Sequence, residues 1–395
     1  LALHWTKNKK EFLSTDEIHH FHRNRAKNDI GGIIHQQGKP STAQQSVNQI
    51  SATYLVPFMA HATMEPVNAT AWVQQDYCEI WAPTQAPDKV KSDVAKFLGI
   101  SPNKVKVNVT RIGGGFGRKS YRDFVMDAVE VSRQTNVPVK LIRDRENDIR
   151  HDLFRPATAI CYSGSYDDKG DLYAVEVNTS GTSVLKYYST PFAEPNDDAD
   201  GITAAGSSSF PYKVDFFKAT ANTQSSKYDI PVGILRSIGH SASCFARECF
   251  IDEIAKNTGQ DPLAYRLKLL NEHRRAVTVL QRAAECFDWH KELPAGRSKG
   301  CAFFAEMDDE YGYYVFNAQM VEVAKDTAGI RVHRIVTVGD FGQIVHPDLV
   351  KAQLEGGAVF GMGLAIFDAI TLKEGQVQQT NFHDFRIPRM MDMPQ

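Results

Sequence analysis

A glycine-rich loop between a strand-like and a helix-like segment is the feature that most constrains the fold of this chain. The loop lies in TRIGGGFGRKSYRD, residues 110–123, and follows Val105, Val107 and Val109, whose alternation is typical of a strand. Apolar residues within 124–132 then recur with helical spacing. Free backbone N–H groups beside a helix N-terminus can hold an anion. The local pattern therefore predicts a strand, a possible anion cradle and a helix in immediate succession.

Strand-like and helix-like segments alternate along the rest of the 395-residue chain. Alternating apolar residues predict strands within residues 52–66, 69–87, 105–112, 138–145 and 329–342. Helical spacing and capping signals predict helices within residues 14–26, 88–98, 121–135 and 244–272. The last of these is split at Gly259, and the Asp261 cap and Pro262 open its second half. This order predicts an α+β fold with mixed sheets and packed helices.

The composition of two further stretches predicts whether they are exposed or buried. Residues 189–213 are rich in Ser, Asp, Gly and Pro, which predicts a long surface excursion. The longest apolar run, residues 358–370, is interrupted by Asp368 and is shorter than the roughly 20 residues that a membrane-spanning helix needs. This run is therefore predicted to lie in the core, and no membrane span is predicted.

Charge and cysteine usage exclude several classes of function. Lys plus Arg number 45 and Asp plus Glu number 47, without long blocks of either sign, so no nucleic-acid partner is expected. Charged residues stand where a signal peptide would have its apolar region, so no export signal is visible, and a cytoplasmic or a periplasmic location stays open. Six cysteines without a C-x-x-C pair argue against a zinc site or an iron–sulfur cluster in this chain.

Two histidine patterns have spacings that metal ligands also use. His19, His20 and His22 lie on the first predicted helix, but no carboxylate-rich pattern accompanies them, so a solvated face is favoured. His61 and Glu65 are four residues apart, with strand-like flanks and a proline directly after the glutamate. For this pair, structural packing is favoured over metal binding.

The glycine loop does not have the spacing of a nucleotide-binding loop. A G-x-G-x-x-G pattern fails, because the sixth position is Arg118 when counted from Gly113 and Ser120 when counted from Gly115. The Gly-Lys-Ser/Thr ending of a Walker A loop is also missing. A plain tight turn, whose glycines only allow positive φ, remains an alternative. Phe116 argues against it, because its ring would be exposed unless something planar or apolar packs on it.

Several motifs occur in one order and carry a family resemblance. They are IWAPTQAP, GGGFGRK, GILRSIGHSAS with FARECFIDEIA, and GDFGQIVHPDLVKAQLEGG. Together they resemble the molybdenum hydroxylases, the xanthine dehydrogenase and aldehyde oxidase family. PFMAHATMEPVNATA and NFHDFRIPRM are most similar to the molybdopterin-binding large subunits of the bacterial isoquinoline 1-oxidoreductase and aldehyde dehydrogenase type. The likeness runs from about residue 1 to 395.

The resemblance implies a set of cofactor-binding residues. Gln85 matches the glutamine that hydrogen-bonds an oxo ligand of molybdenum in this family. Gly115, Phe116 and Gly117 match the loop that lines the metal and its pterin, and Arg236 matches the arginine at the metal centre. An amide donor, bare N–H groups and a fixed cation suit an electron-rich metal group with a phosphorylated pterin. An ordinary loop role for Gln85 and a surface ion pair for Arg236 stay open as alternatives.

Two positions bear on the substrate. Purine-oxidising relatives carry an acidic residue where this chain has Ser120, and an aromatic residue where it has Ile238. A purine would lose both anchors here. The resemblance therefore implies an aldehyde or a simple N-heteroaromatic substrate, with Ser120 and Ile238 in the substrate pocket.

The resemblance also implies cofactors and partners. The cofactor is a molybdenum–pterin group, either molybdopterin or its cytosine dinucleotide, and the reaction takes oxygen from water. Electrons pass to [2Fe-2S] clusters, which need cysteine spacings that this chain lacks, so a separate iron–sulfur subunit is implied. A cytochrome c is an electron acceptor that the resemblance allows.

The family pattern divides the chain and indicates that parts are missing. Residues 1–47 resemble the tail of a hammerhead-like domain, residues 48–275 a first molybdopterin-binding domain and residues 276–395 part of a second. The general-base glutamate of this family lies in a Gly-Glu-Pro motif that this chain does not contain, so the catalytic residue is unknown. The remaining large-subunit segments are expected on a longer or a separate chain. A catalytically silent cofactor-binding or scaffold protein is the alternative hypothesis.

Overall fold

The structure, a computed structural model, combines several sheets with packed helices, which confirms the predicted α+β class. It describes residues 13–39, 48–188, 200–223, 228, 230–308, 312–327, 329–367 and 369–394. Within these residues the strands are β1 (Gly32–Gly38), β2 (Asn48–Val56), β3 (Asn68–Val73), β4 (Cys78–Ala82), β5 (Val105–Val109), β6 (Val139–Ile142), β7 (Thr158–Tyr166), β8 (Leu172–Gly181), β9 (Phe216–Asn222), β10 (Arg297–Asp308), β11 (Tyr313–Asp326), β12 (Gly329–Asp340), β13 (Leu372–Lys373) and β14 (Gln376–Val377). The α-helices there are α1 (Thr15–Asn28), α2 (Pro87–Leu98), α3 (Asp123–Thr135), α4 (Arg145–Arg150), α5 (Leu185–Tyr188), α6 (His240–Asn257), α7 (Pro262–Leu269), α8 (Arg274–Phe287) and α9 (Pro347–Ile366).

A four-stranded sheet in the order β5-β4-β3-β6 carries the glycine-rich loop. Alternate residues of its strands, such as Ala69 and Ile80, are buried against Phe124 and other apolar residues of α2 and α3. The neighbouring strands β4 and β5 are parallel. Their carboxyl ends therefore meet at one edge of the sheet, and the loops that carry Gln85 and residues 113–117 both start there.

A five-stranded sheet in the order β1-β9-β8-β7-β2 packs between α1 and α6. The capping box of Ser14 and Glu17 is confirmed at the start of α1. The prediction of a solvated histidine face on this helix is wrong for His22, which is buried and lies 3.0 Å from Ser180 Oγ of β8. Ile18 of the same helix is buried as well, because α1 packs on the sheet.

A three-stranded sheet, β10-β11-β12, shares one apolar core with the five-stranded sheet and with α6, α7 and α8. The predicted pair of helices around Gly259 is confirmed, and the Asp261 side chain accepts hydrogen bonds from the backbone N–H groups of Leu263 and Ala264. The first helix of the pair begins at His240, four residues before the predicted start. This extension brings the α6 N-terminus close to the segment that contains Arg236.

The apolar run at residues 358–370 differs from its prediction. Residues 358–366 of the run form the second half of α9, a helix of 20 residues in which only Met362 and Gly363 are buried. Ile370, after the helix, is buried as well, so the expected core location holds only in part. Within the described residues, α9 is the one helix long and apolar enough to cross a membrane, which by itself is weak evidence for a span. One side of α9 instead packs on Arg236 and Phe116, as described below.

The predicted surface excursion at residues 189–213 is wrong for its described part. Residues 189–199 lie outside the described residues, but Thr203, Ser207 and Tyr212 are buried. Their hydroxyl groups find protein partners: Thr203 Oγ1 donates to Asp200, and Ser207 Oγ lies 2.8 Å from the Thr179 hydroxyl. Polar composition therefore did not imply exposure, because the fold satisfies these hydroxyl groups internally.

Candidate functional site

The glycine loop, residues 113–117, leaves β5 in a conformation that only some of its residues adopt easily. Gly114 and Gly117 have φ of 94° and 104°, and Phe116 has φ of 52°, which is uncommon for a residue with a side chain. A Cβ on Gly117 would overlap with the carbonyl oxygen of Ile234. The glycines therefore permit both the turn and a close approach to a second segment of the chain.

The backbone amides of this loop are available for a ligand. Among the described residues, no protein group accepts a hydrogen bond from the N–H groups of residues 114–117, which are partly buried. The N–H of Gly113, by contrast, donates to Glu65 Oε2 at 2.8 Å. A 3-10 turn, Arg118–Ser120, separates the loop from α3, so the N-terminus of α3 does not follow it directly as predicted. The available donors are the loop amides themselves.

Gln85 packs against the glycine loop. Its backbone N–H donates to the carbonyl of Lys119 at 2.9 Å. A Cβ on Gly115 would overlap with Gln85 Oε1, so Gly115 is needed for the amide to reach its position. The structure thus brings Gln85 and Gly115 together, because the loops that follow the parallel strands β4 and β5 leave from one edge of the sheet.

Arg236 reaches the other side of the loop through α9. The Phe116 ring stacks on Phe360, with ring centroids 5.2 Å apart and an interplanar angle of 28°. The Arg236 guanidinium lies 5.6 Å from the Phe360 centroid and donates to Gln353 Oε1 and to the Gln353 carbonyl. Among the described residues no carboxylate forms an ion pair with Arg236, which does not support the surface ion pair kept open above.

The contributions of Phe360 and Gln353 were not predicted. Gly357 lies beside Arg236 as well, but a Cβ there would be 3.5 Å from Arg236 Nη2, an ordinary contact, so the approach of Arg236 does not depend on a glycine at this position. Gln353 and Gly357 belong to the motif GDFGQIVHPDLVKAQLEGG, so the family-like stretch was a signal that these positions matter. Phe360 lies just after the motif, in the run that was interpreted as core. Aromatic stacking with Phe116 accounts for its position.

A buried ionic cluster, which we call the Asp152 cluster, joins Arg118, His61, Asp152 and Asp123. Arg118 Nε lies 2.8 Å from Asp152 Oδ1, and Arg118 also makes a bidentate pair with Asp123. His61 Nδ1 lies 2.9 Å from Asp152 Oδ2. Burial alone would raise the pKa of Asp152, but His61 and Arg118 hold the pKa below its ordinary value. Asp152 was not singled out in the sequence, because residues 61, 118 and 152 meet only in the folded chain.

The His61 and Glu65 pair is structural, as favoured from the sequence. His61 Nε2 lies 2.8 Å from the Ile234 carbonyl oxygen, so both ring nitrogens have protein partners. Glu65 pairs with the fully buried Lys119 at 2.5 Å and also accepts from the Gly113 N–H. Across the described residues, no group of three or more His, Cys, Asp or Glu side chains is placed to hold a metal ion.

No described hydrogen bond and no described cavity lining joins Ser120 to Ile238. Ser120 is buried in the 3-10 turn, where its N–H donates to the Gly117 carbonyl at 3.1 Å. Ile238 is 40% exposed and has φ of 54°. A cavity of about 580 Å³ beside Arg236 has neither residue among its described lining, which includes Leu55, Ser237, Phe245, Phe360, Leu364 and Phe367.

Strained backbone concentrates around these loops. Ala62, Phe116, Ser237 and Ile238 have positive φ although they carry side chains. The other described non-glycine residues with positive φ lie at helix ends or in a β-turn, where this conformation is common. Such strain persists only when the surrounding structure holds it, and it gathers at functional sites.

Comparison with known proteins assigns the chain to a family. A profile of the molybdopterin cofactor-binding domain matches residues 21–270, and a second profile with the same description matches residues 266–394. The chain belongs to the molybdopterin cofactor-binding domain family. This confirms the resemblance to molybdenum hydroxylase large subunits that the motifs indicated, and the molybdopterin cofactor that it implied.

Relatives of this molybdopterin-binding chain are longer than the chain itself. It is 30% identical to isoquinoline 1-oxidoreductase subunit beta of Brevundimonas diminuta, over 85% of this chain and 42% of that protein. It is 26% identical to the membrane-bound aldehyde dehydrogenase [pyrroloquinoline-quinone] of Gluconacetobacter polyoxogenes, over 100% and 54% of the two chains. The chain thus spans about half the length of these relatives.

The fold of the molybdopterin-binding chain matches solved structures. Quinoline 2-oxidoreductase from Pseudomonas putida 86 superposes with a TM-score of 0.78 at 14% identity, covering 98% of this chain and 74% of that one. An aldehyde oxidoreductase from Desulfovibrio gigas superposes with a TM-score of 0.74 at 14% identity, covering 97% and 59%. These matches confirm the predicted xanthine dehydrogenase-like fold.

The described residues fit a molybdopterin group. Its oxo and phosphate oxygens are hydrogen-bond acceptors, and the site offers the N–H groups of residues 114–117, the Gln85 amide and the Arg236 guanidinium as donors. The glycine loop keeps side chains other than Phe116 away from this space. The donor set therefore has the character that an anionic, oxygen-rich cofactor requires.

Proposed function

We propose that this chain is the molybdopterin-binding part of an oxidoreductase that hydroxylates an aldehyde or an N-heteroaromatic compound with oxygen from water. The observation that carries the proposal is the set of backbone N–H groups at residues 114–117, which have no hydrogen-bond partner among the described residues. Gln85 and the Phe116–Phe360–Arg236 stack flank these groups. A family of enzymes with this cofactor performs such reactions. Bound molybdopterin would supply the oxygen transfer and accept the electrons from the substrate.

The residues of this chain hold and orient the cofactor in this proposal. The amides of residues 114–117 and the Gln85 side-chain amide bind its oxygen atoms, and Arg236 offsets its negative charge. The Phe116 ring closes the loop against Phe360 and limits the access of water. Ser120, in the 3-10 turn behind the loop, and Ile238, beyond Arg236, are proposed to border the substrate side. No general base is assigned.

The cavity beside Arg236 supports a small, largely apolar substrate. Its volume is about 580 Å³, and Leu55, Phe245 and Leu364 provide apolar lining, whereas Arg236 provides a cation at one side. A planar N-heteroaromatic ring or an aldehyde with an apolar tail suits such a lining. The named relatives act, by their names, on isoquinoline and on aldehydes, which agrees with this substrate class.

The partners and the domain division are part of the same proposal. The Brevundimonas relative is named as one subunit, and this chain is proposed to work with an iron–sulfur subunit, with the remaining large-subunit segments and with an electron acceptor such as a cytochrome c. A domain boundary near residue 275 is supported by the two family profiles, which meet at residues 266–270. The hammerhead-like tail at residues 1–47 stays a prediction. Within its described part, α1 packs on the five-stranded sheet and β1 is an edge strand of that sheet.

The test is the molybdenum and pterin content of purified protein. The variants Gln85→Ala, Phe116→Ala and Arg236→Ala are expected to retain at least roughly tenfold less cofactor, since each loses a hydrogen bond to a charged group or a stacking contact. Gln75→Ala and Arg282→Ala, at exposed positions, are matched controls that should retain the wild-type content. Unchanged cofactor content in all three site variants would contradict the proposal.

A second candidate is a cofactor-binding or scaffold protein without turnover. One observation favours it: the Arg236 guanidinium is already engaged by Gln353 rather than directed freely into the cavity. This candidate predicts molybdenum-loaded protein that oxidises neither an aldehyde nor an N-heteroaromatic compound, even with an iron–sulfur partner present. Turnover of either substrate class under those conditions excludes it.

A further inference from the structure

The backbone of Ile234, two residues before Arg236, is held at both its N–H and its carbonyl group. Its N–H donates to the Tyr121 hydroxyl at 2.9 Å, and its carbonyl oxygen lies 2.8 Å from His61 Nε2. Gly117 of the glycine loop abuts the same carbonyl. The Ile234 backbone is therefore the point at which the arginine segment, residues 231–239, meets the glycine loop.

The second nitrogen of the His61 ring faces the Asp152 carboxylate. His61 Nδ1 lies 2.9 and 3.1 Å from its two oxygen atoms, and the His61 backbone N–H donates to Asp152 Oδ2 at 2.6 Å. The Leu153 N–H donates to Asp152 Oδ1 at 2.8 Å, and the Arg118 guanidinium, with Nε 2.8 Å from the same oxygen, adds a charge contact. A carboxyl group beside a cation and several N–H donors is ionised, so it accepts a hydrogen bond from Nδ1–H and has no proton of its own to donate.

The two partners of His61 decide the protonation state of its ring. A backbone carbonyl can only accept, so the Ile234 oxygen requires a proton on Nε2, and the Asp152 carboxylate requires one on Nδ1. A neutral imidazole carries one proton and would leave one of these acceptors facing a lone pair. The contacts on both sides thus require the imidazolium form.

The charges around the ring balance this form. His61 and Arg118 carry positive charge, and Asp152 and Asp123 carry negative charge, so the cluster of four is neutral. The other charged groups that face it form pairs as well, namely Asp148 with Arg145 and Arg143 with Asp123 and Asp127. A neutral buried cluster avoids the cost of an uncompensated charge.

We propose that His61 is a positioning residue, held as an imidazolium between Asp152 and the Ile234 carbonyl, which fixes the arginine segment against the glycine loop. The strained conformations of Ser237 and Ile238 need such an anchor, because positive φ in residues with side chains does not persist without support. His61 touches neither Arg236 nor the cavity lining by any described contact and acts through the Ile234 peptide. The protonation state follows from contacts alone, whereas the effect on the cofactor rests on the proposed function.

The first experiment measures the protonation of His61 directly. Nitrogen NMR of the chain labelled with 15N-histidine, at pH 8, is expected to show one ring with both nitrogens protonated, and this signal should be missing in His61→Gln. If the signal that disappears in His61→Gln is that of a ring with only one protonated nitrogen, the proposal is overturned. If His61→Gln does not fold, Asp152→Asn serves instead: it should convert the doubly protonated ring to a neutral one, and an unchanged signal contradicts the proposal.

The second experiment measures the order of the arginine segment and the retention of cofactor. In His61→Gln the amides of residues 234–238 should exchange with deuterium at least tenfold faster, and molybdopterin should bind roughly tenfold more weakly. The matched control is His22→Gln. His22 is a second buried histidine, and its ring contacts Ser180 where α1 packs on β8. This variant should change both the exchange rate and the cofactor affinity less than twofold. If His61→Gln and His22→Gln have equal effects, His61 contributes only to packing and the positioning role is contradicted.

The outcomes separate this proposal from the proposed function. If wild-type protein binds no molybdopterin, the proposed function fails, but the doubly protonated ring and the faster exchange in His61→Gln still test the positioning role. If wild-type protein binds molybdopterin and His61→Gln binds it equally well with unchanged exchange at residues 234–238, the positioning role fails alone.

Discussion

Two buried ionic clusters in this chain use similar groups for different ends. In the Glu248 cluster, the carboxylate of α6 accepts hydrogen bonds from Arg247, Arg266, Tyr212 and the Phe303 N–H, at 2.8 to 3.0 Å. These partners join α6, α7, β10 and the chain before β9, which are all parts of one apolar core. The Asp152 cluster instead includes His61 and Arg118, which lie next to residues with strained backbone and next to the N–H groups of residues 114–117, which have no partner among the described residues.

The two clusters have similar electrostatics but different surroundings. Burial alone would raise the pKa of Glu248, but Arg266 and Arg247 hold the pKa below its ordinary value, as His61 and Arg118 do for Asp152. The Glu248 cluster is surrounded by well-packed helices and strands. The Asp152 cluster adjoins the glycine loop through Arg118, and the backbone N–H groups of that loop have no acceptor among the described residues. We infer that the first cluster stabilises the core and that the second holds loops in place.

The largest expected effect distinguishes the two carboxylates. Glu248→Gln should lower the free energy of unfolding by about 3 to 5 kcal/mol, because the buried Arg247 loses the carboxylate that it pairs with and the buried Arg266 keeps only the partly exposed Asp252. Asp152→Asn should cost about 2 to 3 kcal/mol, because Arg118 keeps Asp123 as a partner. Urea unfolding at pH 7 measures both. A larger loss for Asp152→Asn would reverse the proposed division of roles.

The next effect concerns two glycines with positive φ. Gly117→Ala should cost roughly 3 kcal/mol, because the added Cβ would overlap with the Ile234 carbonyl as well as strain the backbone. Gly99→Ala, at the C-terminus of α2 with φ of 68° and open space around it, should cost only about 1 to 2 kcal/mol. Thermal unfolding of both variants isolates the close approach of the two segments. Equal losses would mean that this approach contributes no stability.

A smaller effect depends on pH and involves His22. Burial lowers the pKa of His22 from 6.5 to about 4, so its neutral form is favoured in the folded chain. The unfolded chain binds the proton first as pH falls, so this contribution to stability is complete above pH 6.5 and is lost between pH 6.5 and about 4. His22→Gln should therefore flatten the dependence of unfolding free energy on pH in this range, by about 1 to 3 kcal/mol.

Urea unfolding of His22→Gln at several pH values between 4 and 7 provides the measurement. The exposed His290, replaced in His290→Gln, is the matched control and should leave the slope as in the wild type. A wild-type slope retained in His22→Gln would show that His22 does not couple stability to pH.

The smallest effect gives the baseline for charged pairs in this protein. Arg282 and Glu285 form an exposed pair on α8 at 2.9 Å. Arg282→Ala should leave the free energy of unfolding close to that of the wild type, because water screens exposed charges. Urea unfolding at low and high salt measures it, and a loss close to that of Glu248→Gln would remove the contrast between buried and exposed charges.

Much of the local structure followed from sequence signals. The Ser14 capping box, the Asp261 cap with Pro262, and the strand before the glycine loop all formed as predicted, because each depends on neighbours within a few residues. The prediction for residues 189–213 was wrong in its described part, since hydroxyl-rich composition was taken to mean exposure. Those hydroxyl groups are satisfied by distant partners that composition does not reveal.

The candidate site was predictable only in part. The motifs led to Gln85, the glycine loop and Arg236, because the residues of a cofactor site recur in family-like stretches. Phe360 was interpreted as part of an apolar run and Gln353 as part of a family motif, so their contacts were missed. These contacts, of Phe360 with Phe116 and of Gln353 with Arg236, depend on the position of α9. The Asp152 cluster was missed as well, because its charges come from three separate parts of the chain.

The sequence by itself determined the elements, the family and the bare loop, since periodicity, capping residues and motif spacing act over short distances. Only the tertiary structure decided which loops meet and which charges are buried together. The parallel pairing of β4 and β5 placed Gln85 beside Gly115, and the packing of α9 placed Arg236 over Phe360. A buried charge is stable only beside a partner, and that partner is chosen by the fold and not by the neighbouring residues in the chain.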